Sequence, residues 1–258
     1  MQRCNNRAYD QVRPLKATYN VFPYADGSML FEMGNTKVFV AITLQTSVPP
    51  FLRGKKTGWL TAEYALLPAS THVRNTRESN AQGKSGRSVE ISRFIGRVFR
   101  SVCNLDSIGE RTIIIDCDVL QADGSTRAAC INGVLLALQV AEQKWLKNNI
   151  IRVPCLRDSL TAISVGMVGD HVLVDIDYQE DASVDADFTF VFTNAKKIIE
   201  IQGTAEREPC TWQLYEKAYF AASQGVDHIK NFFDECDMLY STSKSEPKRA
   251  MSSPANIL

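Results

Sequence analysis

The order of apolar and polar residues along the chain predicts two groups of strands, each followed by a helix. In the first group, residues 28–46 form two apolar runs around Gly34-Asn35, a pattern typical of a β-hairpin, and residues 113–120 are rich in β-branched side chains. Because the strands are grouped and do not alternate regularly with helices, we expect an α+β fold. The strands predicted for the second group are 160–168, 171–178, 188–193 and 197–202.

Apolar residues at helical spacing predict three helices. The first spans about residues 91–102, the second begins near Ser125-Thr126, and the third spans about 212–233. The long segment 47–88 is broken only by an apolar run at 59–67, so we expect a functional or disordered loop there. The second helix is expected to bury one face, formed by Ile131, Val134, Leu135, Leu138 and Trp145.

The bulk composition is that of a globular protein. Residues 1–240 are predicted to form one domain with a weak internal duplication, and the Ser/Pro/Lys-rich segment 241–258 is predicted to be a disordered tail. The 29 basic and 29 acidic residues balance, so overall charge does not indicate a partner. No apolar stretch is long enough to span a bilayer, so no membrane association is expected.

The cysteines and histidines do not suggest a disulfide framework or a zinc site. Seven cysteines and three histidines are scattered, and no Cys-x-x-Cys pair occurs. We expect mostly buried free thiols in a reducing compartment, and therefore a cytoplasmic protein.

The stretch QADGSTR at 121–127 joins a predicted strand to a predicted helix through a tight turn at Asp123-Gly124. A helix N-terminus presents unpaired N–H groups and partial positive charge, and Arg127 adds a fork of donors that matches phosphate oxygens. The residues alone leave two interpretations open. One is an anion site, and the other is an ordinary helix cap made by Ser125 or Thr126.

A second basic group, GKSGR at 83–87, brings Arg87 to the start of the first helix, so the two helix starts are potential half-sites for one anion. A nucleotide-binding P-loop is excluded, because position 78 is Glu where that motif requires Gly and no strand precedes it. Arg74 and Arg77 lie in a loop without periodicity. This loop either is simply solvated or grips a nucleic-acid backbone.

The segment 175–187 is acidic, and Asp181 and Asp187 flank a short turn between two predicted strands. Such carboxylates suit Mg²⁺, although composition alone slightly favours a solvated acidic loop. The spacing of a calcium-binding EF-hand is absent. No Ser-His-Asp or Cys-His arrangement is visible, which favours positioning and electrostatics over a covalent intermediate.

Seven blocks, in order, resemble the ribonuclease PH family of phosphorolytic exoribonucleases, which trim the 3′ ends of transfer-RNA precursors. The resemblance covers about residues 4–235. It implies a duplicated β-α unit of the ribosomal protein S5 domain 2 type, assembled as a hexameric ring built from three dimers. The blocks are NNRAYDQVRP, GWLTAEYALLP, STHVRNTRE, GRSVEISRFIGR, DCDVLQADGSTR, YQEDASVDAD and EIQGTAE.

The resemblance also implies roles for individual residues. Inorganic phosphate, the co-substrate, would be held by Arg87, Ser125, Thr126 and Arg127, with Arg127 also catalytic. Asp181 and Asp187 would bind Mg²⁺ and support catalysis, and Arg74 and Arg77 would hold transfer RNA.

Two positions depart from the family pattern. Ala69 stands where arginine is usual, which removes one potential phosphate contact, and Ser125 stands where glycine is usual. A left-handed backbone at Ser125 would be strained.

The expected activity is therefore phosphate-dependent removal of nucleoside diphosphates from RNA 3′ ends, a reaction that also runs in reverse. One alternative is a non-catalytic RNA-binding subunit of an exosome-like ring, which would be free to lose the phosphate and carboxylate residues. Another alternative is a hydrolytic ribonuclease, which would need no phosphate site.

Overall fold

The first half of the protein is built on a five-stranded sheet. The computed structural model describes residues 3, 6–78 and 83–243. The strands lie in the order β1-β2-β3-β5-β4, and all neighbours are antiparallel except β4 and β5. The parallel pair is connected through helix α1 (Gly86–Val102), which packs against β4. The strands are β1 (Leu15–Tyr19), β2 (Gly27–Met33), β3 (Thr36–Gln45), β4 (Trp59–Leu66) and β5 (Thr112–Gln121).

The second half is built on a four-stranded antiparallel sheet in the order β7-β6-β8-β9. A one-turn helix, α3 (Tyr178–Asp181), lies between β7 and β8, and a long helix, α4 (Trp212–Ser243), packs against β6 and β7. The strands are β6 (Leu160–Val168), β7 (His171–Val174), β8 (Ala186–Thr193) and β9 (Ile198–Ala205).

Helix α2 (Thr126–Lys147) joins the two halves, because it contacts β2 and β3 of the first sheet and β6 of the second. Asn132 on this helix is fully buried. Its side-chain amide donates to the carbonyl of Ala162 at 2.9 Å and accepts from the Ala162 N–H at 2.9 Å. A buried amide whose donor and acceptor are both used in this way fixes the helix against the second sheet.

The α+β fold and its duplicated arrangement of sheet and helix are confirmed. The predicted hairpin, the strand before the QADGSTR turn and the three long helices are all present. The strands β1 and β4 were not predicted, and β4 corresponds to the apolar run that interrupts the long loop. No helix in the described part of the chain has the length and apolar character needed to cross a membrane.

Two predictions about where elements end were wrong. Strand β7 ends at Val174, before the predicted end at 178, because Asp175 takes a left-handed conformation with φ of 53°. The predicted apolar face of α2 is buried, and the helix buries further residues beyond it because a sheet covers it on each side. Helix α4 continues to Ser243, beyond both its predicted end and the start of the predicted tail at 241, and residues 244–258 lie outside the described residues.

Candidate active site

The tight turn predicted at Asp123-Gly124 connects β5 to α2, and its geometry explains the glycine. Gly124 has φ of +73°, and a side chain added there would place Cβ 2.5 Å from the carbonyl oxygen of Ile176. The turn therefore packs directly against the chain that follows β7. Thr36 supports it from the β2–β3 hairpin, because its hydroxyl donates to the Gly124 carbonyl at 2.6 Å and accepts from the Asp123 N–H at 3.0 Å.

Ser125 occupies the left-handed conformation expected of glycine, with φ of 54° and ψ of 26°. Its hydroxyl makes no helix-capping hydrogen bond, so the ordinary cap interpretation is wrong for this side chain. The hydroxyl instead lies within hydrogen-bond distance of the Asp175 carboxylate at 3.0 Å and of the Ile176 carbonyl at 2.8 Å, and it also contacts the Ser164 hydroxyl. Since a hydroxyl has one proton, these acceptors leave Ser125 only its backbone N–H to offer an anion.

The start of α2 keeps its N–H donors available. The first N–H that bonds within this helix is that of Ala129, which donates to the Ser125 carbonyl at 2.9 Å. The N–H groups of residues 126–128 precede it and have no acceptor within the helix. The partial positive charge of the helix dipole adds to these donors, so this end of α2 suits an anion.

A central cavity of about 310 Å³ brings both predicted half-sites together. Arg87, the second residue of α1, and Arg127, the second residue of α2, both line it. Helix α1 begins at an ordinary cap, in which the Ser85 hydroxyl accepts from the Ser88 N–H at 3.1 Å. The predicted site residues that line the cavity are Arg87, Ser125, Thr126, Arg127, Asp181 and Asp187.

Arg127 is only partly neutralised within the protein. Its Nη2 lies 2.8 Å from the Glu90 carboxylate on α1, and this ion pair is accessible to solvent on both sides. Its Nε is buried and has no hydrogen-bond partner among the described residues. A buried donor without a partner is costly, and an anion in the cavity would satisfy it.

Asp181 and Asp187 converge from the two sides of the short connection between β7 and β8. Asp181 ends α3 and Asp187 is the second residue of β8, and both line the central cavity and an adjoining cleft of about 550 Å³. Loss of solvent raises the pKa of Asp181, and the charge of Asp187 raises it further against the opposing effect of Arg87. Loss of solvent also raises the pKa of Asp187, although Arg127 opposes that shift.

These two carboxylates fit one mode of Mg²⁺ binding. No group of three or more potential ligands among His, Cys, Asp and Glu is found in the described part of the chain. Mg²⁺ commonly binds through one or two carboxylates, keeps several waters and uses substrate phosphates as its remaining ligands. Two carboxylates with raised pKa values beside the central cavity match that mode, and they do not form a cage made entirely by the protein.

Glu206 was not predicted as a site residue, although it is the last residue of the EIQGTAE block. It follows β9 and lines the adjoining cleft, and its charge raises the pKa of both Asp181 and Asp187. The sequence offers only the glutamate itself as a sign of this role. No local pattern shows that β9 places Glu206 beside carboxylates about twenty residues earlier in the chain.

The predicted RNA-contacting arginines, Arg74 and Arg77, are exposed and line neither the central cavity nor the adjoining cleft. Their loop nevertheless borders the site, because Thr71 and Asn75 line the central cavity. The segment 79–82 that follows lies outside the described residues. Ala69 is exposed beside this loop.

Comparison with protein families gives two matches that together span most of the chain. Residues 11–143 match domain 1 of the 3′ exoribonuclease family, and residues 158–225 match domain 2. Two similar relatives are named ribonuclease PH. The protein from Neisseria meningitidis is 47% identical over 224 residues, covering 87% of this chain and 93% of the relative. The protein from Tropheryma whipplei is 48% identical over 229 residues, covering 88% and 92%.

Solved structures show the same fold at low sequence identity. The crystal structure of rice (Oryza sativa) Rrp46 matches with a TM-score of 0.74 at 19% identity, covering 89% of this chain and 97% of that chain. The Archaeoglobus fulgidus exosome with RNA bound to its active site matches with a TM-score of 0.76 at 19% identity, covering 90% and 92%.

Proposed function

The chain belongs to the 3′ exoribonuclease family and is a phosphorolytic 3′-to-5′ exoribonuclease with inorganic phosphate as co-substrate, and we propose that its reaction takes place in the central cavity. The observation that carries this proposal is that two helix N-termini, two arginines and two aspartates line one cavity. The proposed substrates are transfer-RNA precursors with 3′ extensions. Arg74 and Arg77 are proposed to hold the RNA backbone beside the cavity.

Phosphate is proposed to bind between Arg87 and Arg127, with further donors from the backbone at Ser125 and from Thr126. Phosphate and RNA are both anions, so their approach requires neutralising charge and fixed positions. Arginine forks and a helix N-terminus supply both. The unsatisfied Nε of Arg127 supports this assignment, because phosphate would provide its missing acceptor.

In the proposed reaction, an oxygen of the bound phosphate attacks the phosphorus of the last phosphodiester in the RNA. The new P–O bond forms while the bond to the 3′ oxygen of the preceding nucleotide breaks. A nucleoside diphosphate leaves, and the 3′ oxygen takes up a proton to become the new RNA end. Arg127 is catalytic in this scheme, since it contacts the attacking phosphate.

Asp181 and Asp187 are proposed to serve the leaving oxygen in one of two ways. An aspartate with a raised pKa retains its proton to higher pH than an ordinary aspartate, so either residue can donate it. The same pair is the proposed Mg²⁺ site, and bound Mg²⁺ would stabilise the charge that develops on the transferred phosphoryl group.

Two further proposals concern the protein as a whole. We propose a homohexameric ring of three dimers, as the family resemblance implies. We also propose that the protein works in the cytoplasm, since the six cysteines among the described residues are free thiols and a reducing compartment maintains thiols.

The test is incubation of the purified protein with a 3′-extended transfer RNA and Mg²⁺, with and without inorganic phosphate, followed by identification of the released nucleotides. We expect nucleoside diphosphates only when phosphate is present, and their loss in Arg127→Ala. Arg152→Ala is the matched control, because Arg152 is exposed and follows the opposite end of α2. Release of monophosphates without phosphate would indicate hydrolysis and refute the mechanism. RNA binding without any release would favour the non-catalytic ring subunit.

A further inference from the structure

Three arginines in the segment that precedes β1 are buried in a way that requires explanation. The side chains of Arg3, Arg7 and Arg13 are 0%, 6% and 6% exposed. Arginine is among the residues least often buried, and a buried guanidinium needs acceptors for its donors. None of the three lines the central cavity or the adjoining cleft. Their acceptors show what the segment does.

Arg13 connects the β5–α2 turn to the chain that follows β7. Its backbone N–H and Nε donate to Asp175 Oδ2 at 2.8 and 2.9 Å, and its Nη2 donates to Asp175 Oδ1 at 2.7 Å. Its Nη1 donates to the carbonyl of Asp123 in the turn. The Ser125 hydroxyl lies 3.0 Å from the same Asp175 Oδ1. Asp175 is therefore held between Arg13 and the proposed phosphate-binding residue Ser125.

Arg3 and Arg7 hold the helix that carries Asp181. Arg3 makes a bidentate contact with the Glu180 carboxylate, donating through Nε at 2.8 Å and through Nη2 at 2.9 Å. Arg7 donates to the same carboxylate through Nη2 at 2.8 Å. Glu180 directly precedes Asp181 in α3, so these contacts hold the backbone that carries Asp181.

The two sets of contacts meet on one short stretch of backbone. Arg3 Nη2 donates to the Val174 carbonyl at 2.9 Å, and Arg7 Nη1 donates to the Asp175 carbonyl at 2.9 Å. The β5–α2 turn touches the same stretch, because Gly124 has no room for a side chain beside residues 176 and 177. Arg3, Arg7 and Arg13 therefore together bond to both the phosphate side and the carboxylate side of the cavity.

We infer that Arg3, Arg7 and Arg13 are positioning residues that fix the separation between the bound phosphate and the Asp181 carboxylate. This inference rests on the proposed function. The arginines act through Asp175 and Glu180 and do not touch the reacting groups. Displacement of reacting groups by about 1 Å can reduce a rate by about 100-fold, so a small loosening of this network would be measurable.

The test compares lysine variants, because lysine keeps the positive charge and loses the fork of donors. Arg13→Lys and Arg7→Lys are made in the full chain, with Arg152→Lys as the exposed control. Each variant is first shown by thermal unfolding to be folded at the assay temperature. Two measurements follow: kcat and KM for phosphate with a 3′-extended RNA, and the increase in Tm that inorganic phosphate produces without RNA.

We expect Arg13→Lys to raise KM for phosphate by about tenfold and to reduce the phosphate-induced increase in Tm, because the turn that binds phosphate is loosened. We expect Arg7→Lys to lower kcat by about tenfold with little change in that KM, because it acts through Glu180 on Asp181. Arg152→Lys should match the wild type. Rates that fall only in proportion to the unfolded fraction, with KM unchanged, would show a merely structural role and overturn the inference.

A replacement variant and a binding measurement keep the inference testable if Arg13→Lys does not fold or if the wild type is inactive. If Arg13→Lys does not fold, Ser125→Ala replaces it, because that change removes the hydroxyl that bonds to Asp175 and leaves the arginines in place. An unchanged KM for phosphate in Ser125→Ala would overturn the inference. If the wild type releases no nucleoside diphosphate, the proposed function is refuted. The Tm measurement then decides the inference alone, since equal phosphate stabilisation in Arg13→Lys and wild type would overturn it.

Discussion

Substitutions of Ser125 separate the strain of its left-handed backbone from the hydrogen bond that its hydroxyl makes in the β5–α2 turn. Its left-handed backbone costs about 1 kcal/mol relative to glycine. Its hydroxyl contacts the buried Asp175 carboxylate, and a hydrogen bond to a charged group contributes about 2 kcal/mol. Asp175 keeps its bonds from Arg13 in either variant, so no charge is left unpaired. Ser125→Ala loses the hydrogen bond and keeps the strain, whereas Ser125→Gly loses the bond and relieves the strain.

We therefore expect Ser125→Ala to lower the free energy of unfolding by about 2 kcal/mol and Ser125→Gly to lower it by about 1 kcal/mol. In a chain of this size, the difference between the variants corresponds to about 2–4 °C in Tm. Urea denaturation monitored by circular dichroism gives the free energies directly, provided that the denaturant dependence is the same for all variants.

Ser92 provides the matched control, because it lies within α1 and its buried hydroxyl has no hydrogen-bond partner in the part of the chain that the structure describes. At a helical position alanine is more stable than glycine by about 1 kcal/mol, so the order of the two variants should reverse at Ser92. The reasoning would be refuted if Ser125→Ala were as stable as Ser125→Gly, since the left-handed strain would then be absent.

Four other predictions follow from the site. Gly124→Ala should lower the free energy of unfolding by about 3 kcal/mol in urea denaturation, because a Cβ would meet backbone at 2.5 Å in a left-handed turn; unchanged stability would contradict the packing. Asp187→Asn should abolish nucleoside diphosphate release and yet stabilise the fold at pH 7, because its raised pKa makes the ionised form unfavourable in the folded state. This gain in the free energy of unfolding should disappear when denaturation is measured below about pH 4, because aspartates in the unfolded chain are then protonated as well. An Asp187→Asn variant less stable than wild type at pH 7 would contradict the prediction. Glu206→Gln should lower the pKa of both Asp181 and Asp187 and move to lower pH whichever limb of the rate profile they set, the alkaline limb if they donate a proton or the acidic limb if they bind Mg²⁺. An unmoved limb would exclude electrostatic coupling. Arg74→Ala and Arg77→Ala should each weaken RNA binding and reduce its salt dependence by about one ion, while KM for phosphate stays unchanged. If both variants bind RNA with full affinity, neither arginine contacts the RNA.

The parts of the site that the sequence reveals are those set by neighbouring residues. The apolar run before Asp123-Gly124 and the helical spacing after it are local patterns, so the turn and the start of α2 are predictable. The left-handed state of Ser125 is not, because its partners Ser164 and Asp175 are about 40 and 50 residues away. Strand β7 was predicted too long for the same reason, since an apolar pattern does not reveal the conformation of Asp175.

Buried charge was harder to predict than buried apolar surface. Arginine in a sequence is ordinarily assigned to solvent, and nothing near Arg3, Arg7 or Arg13 distinguishes them from surface arginines until Glu180 and Asp175 are placed beside them. The carboxylates and the arginines are separated by more than 160 residues, so only the assembled fold brings them into contact.

The distribution of charge between the halves explains why the site needs both. The proposed phosphate-binding groups all come from the first half, at the starts of α1 and α2. The proposed carboxylates all come from the second half, at α3 and β8, and Glu206 after β9 adds to their charge. A reaction between two anions requires the cationic groups to be close to the carboxylates without being neutralised by them. Helix α2 between the sheets and the buried Arg3, Arg7 and Arg13 are proposed to hold that separation, so the proposed reaction takes place at the junction between the halves.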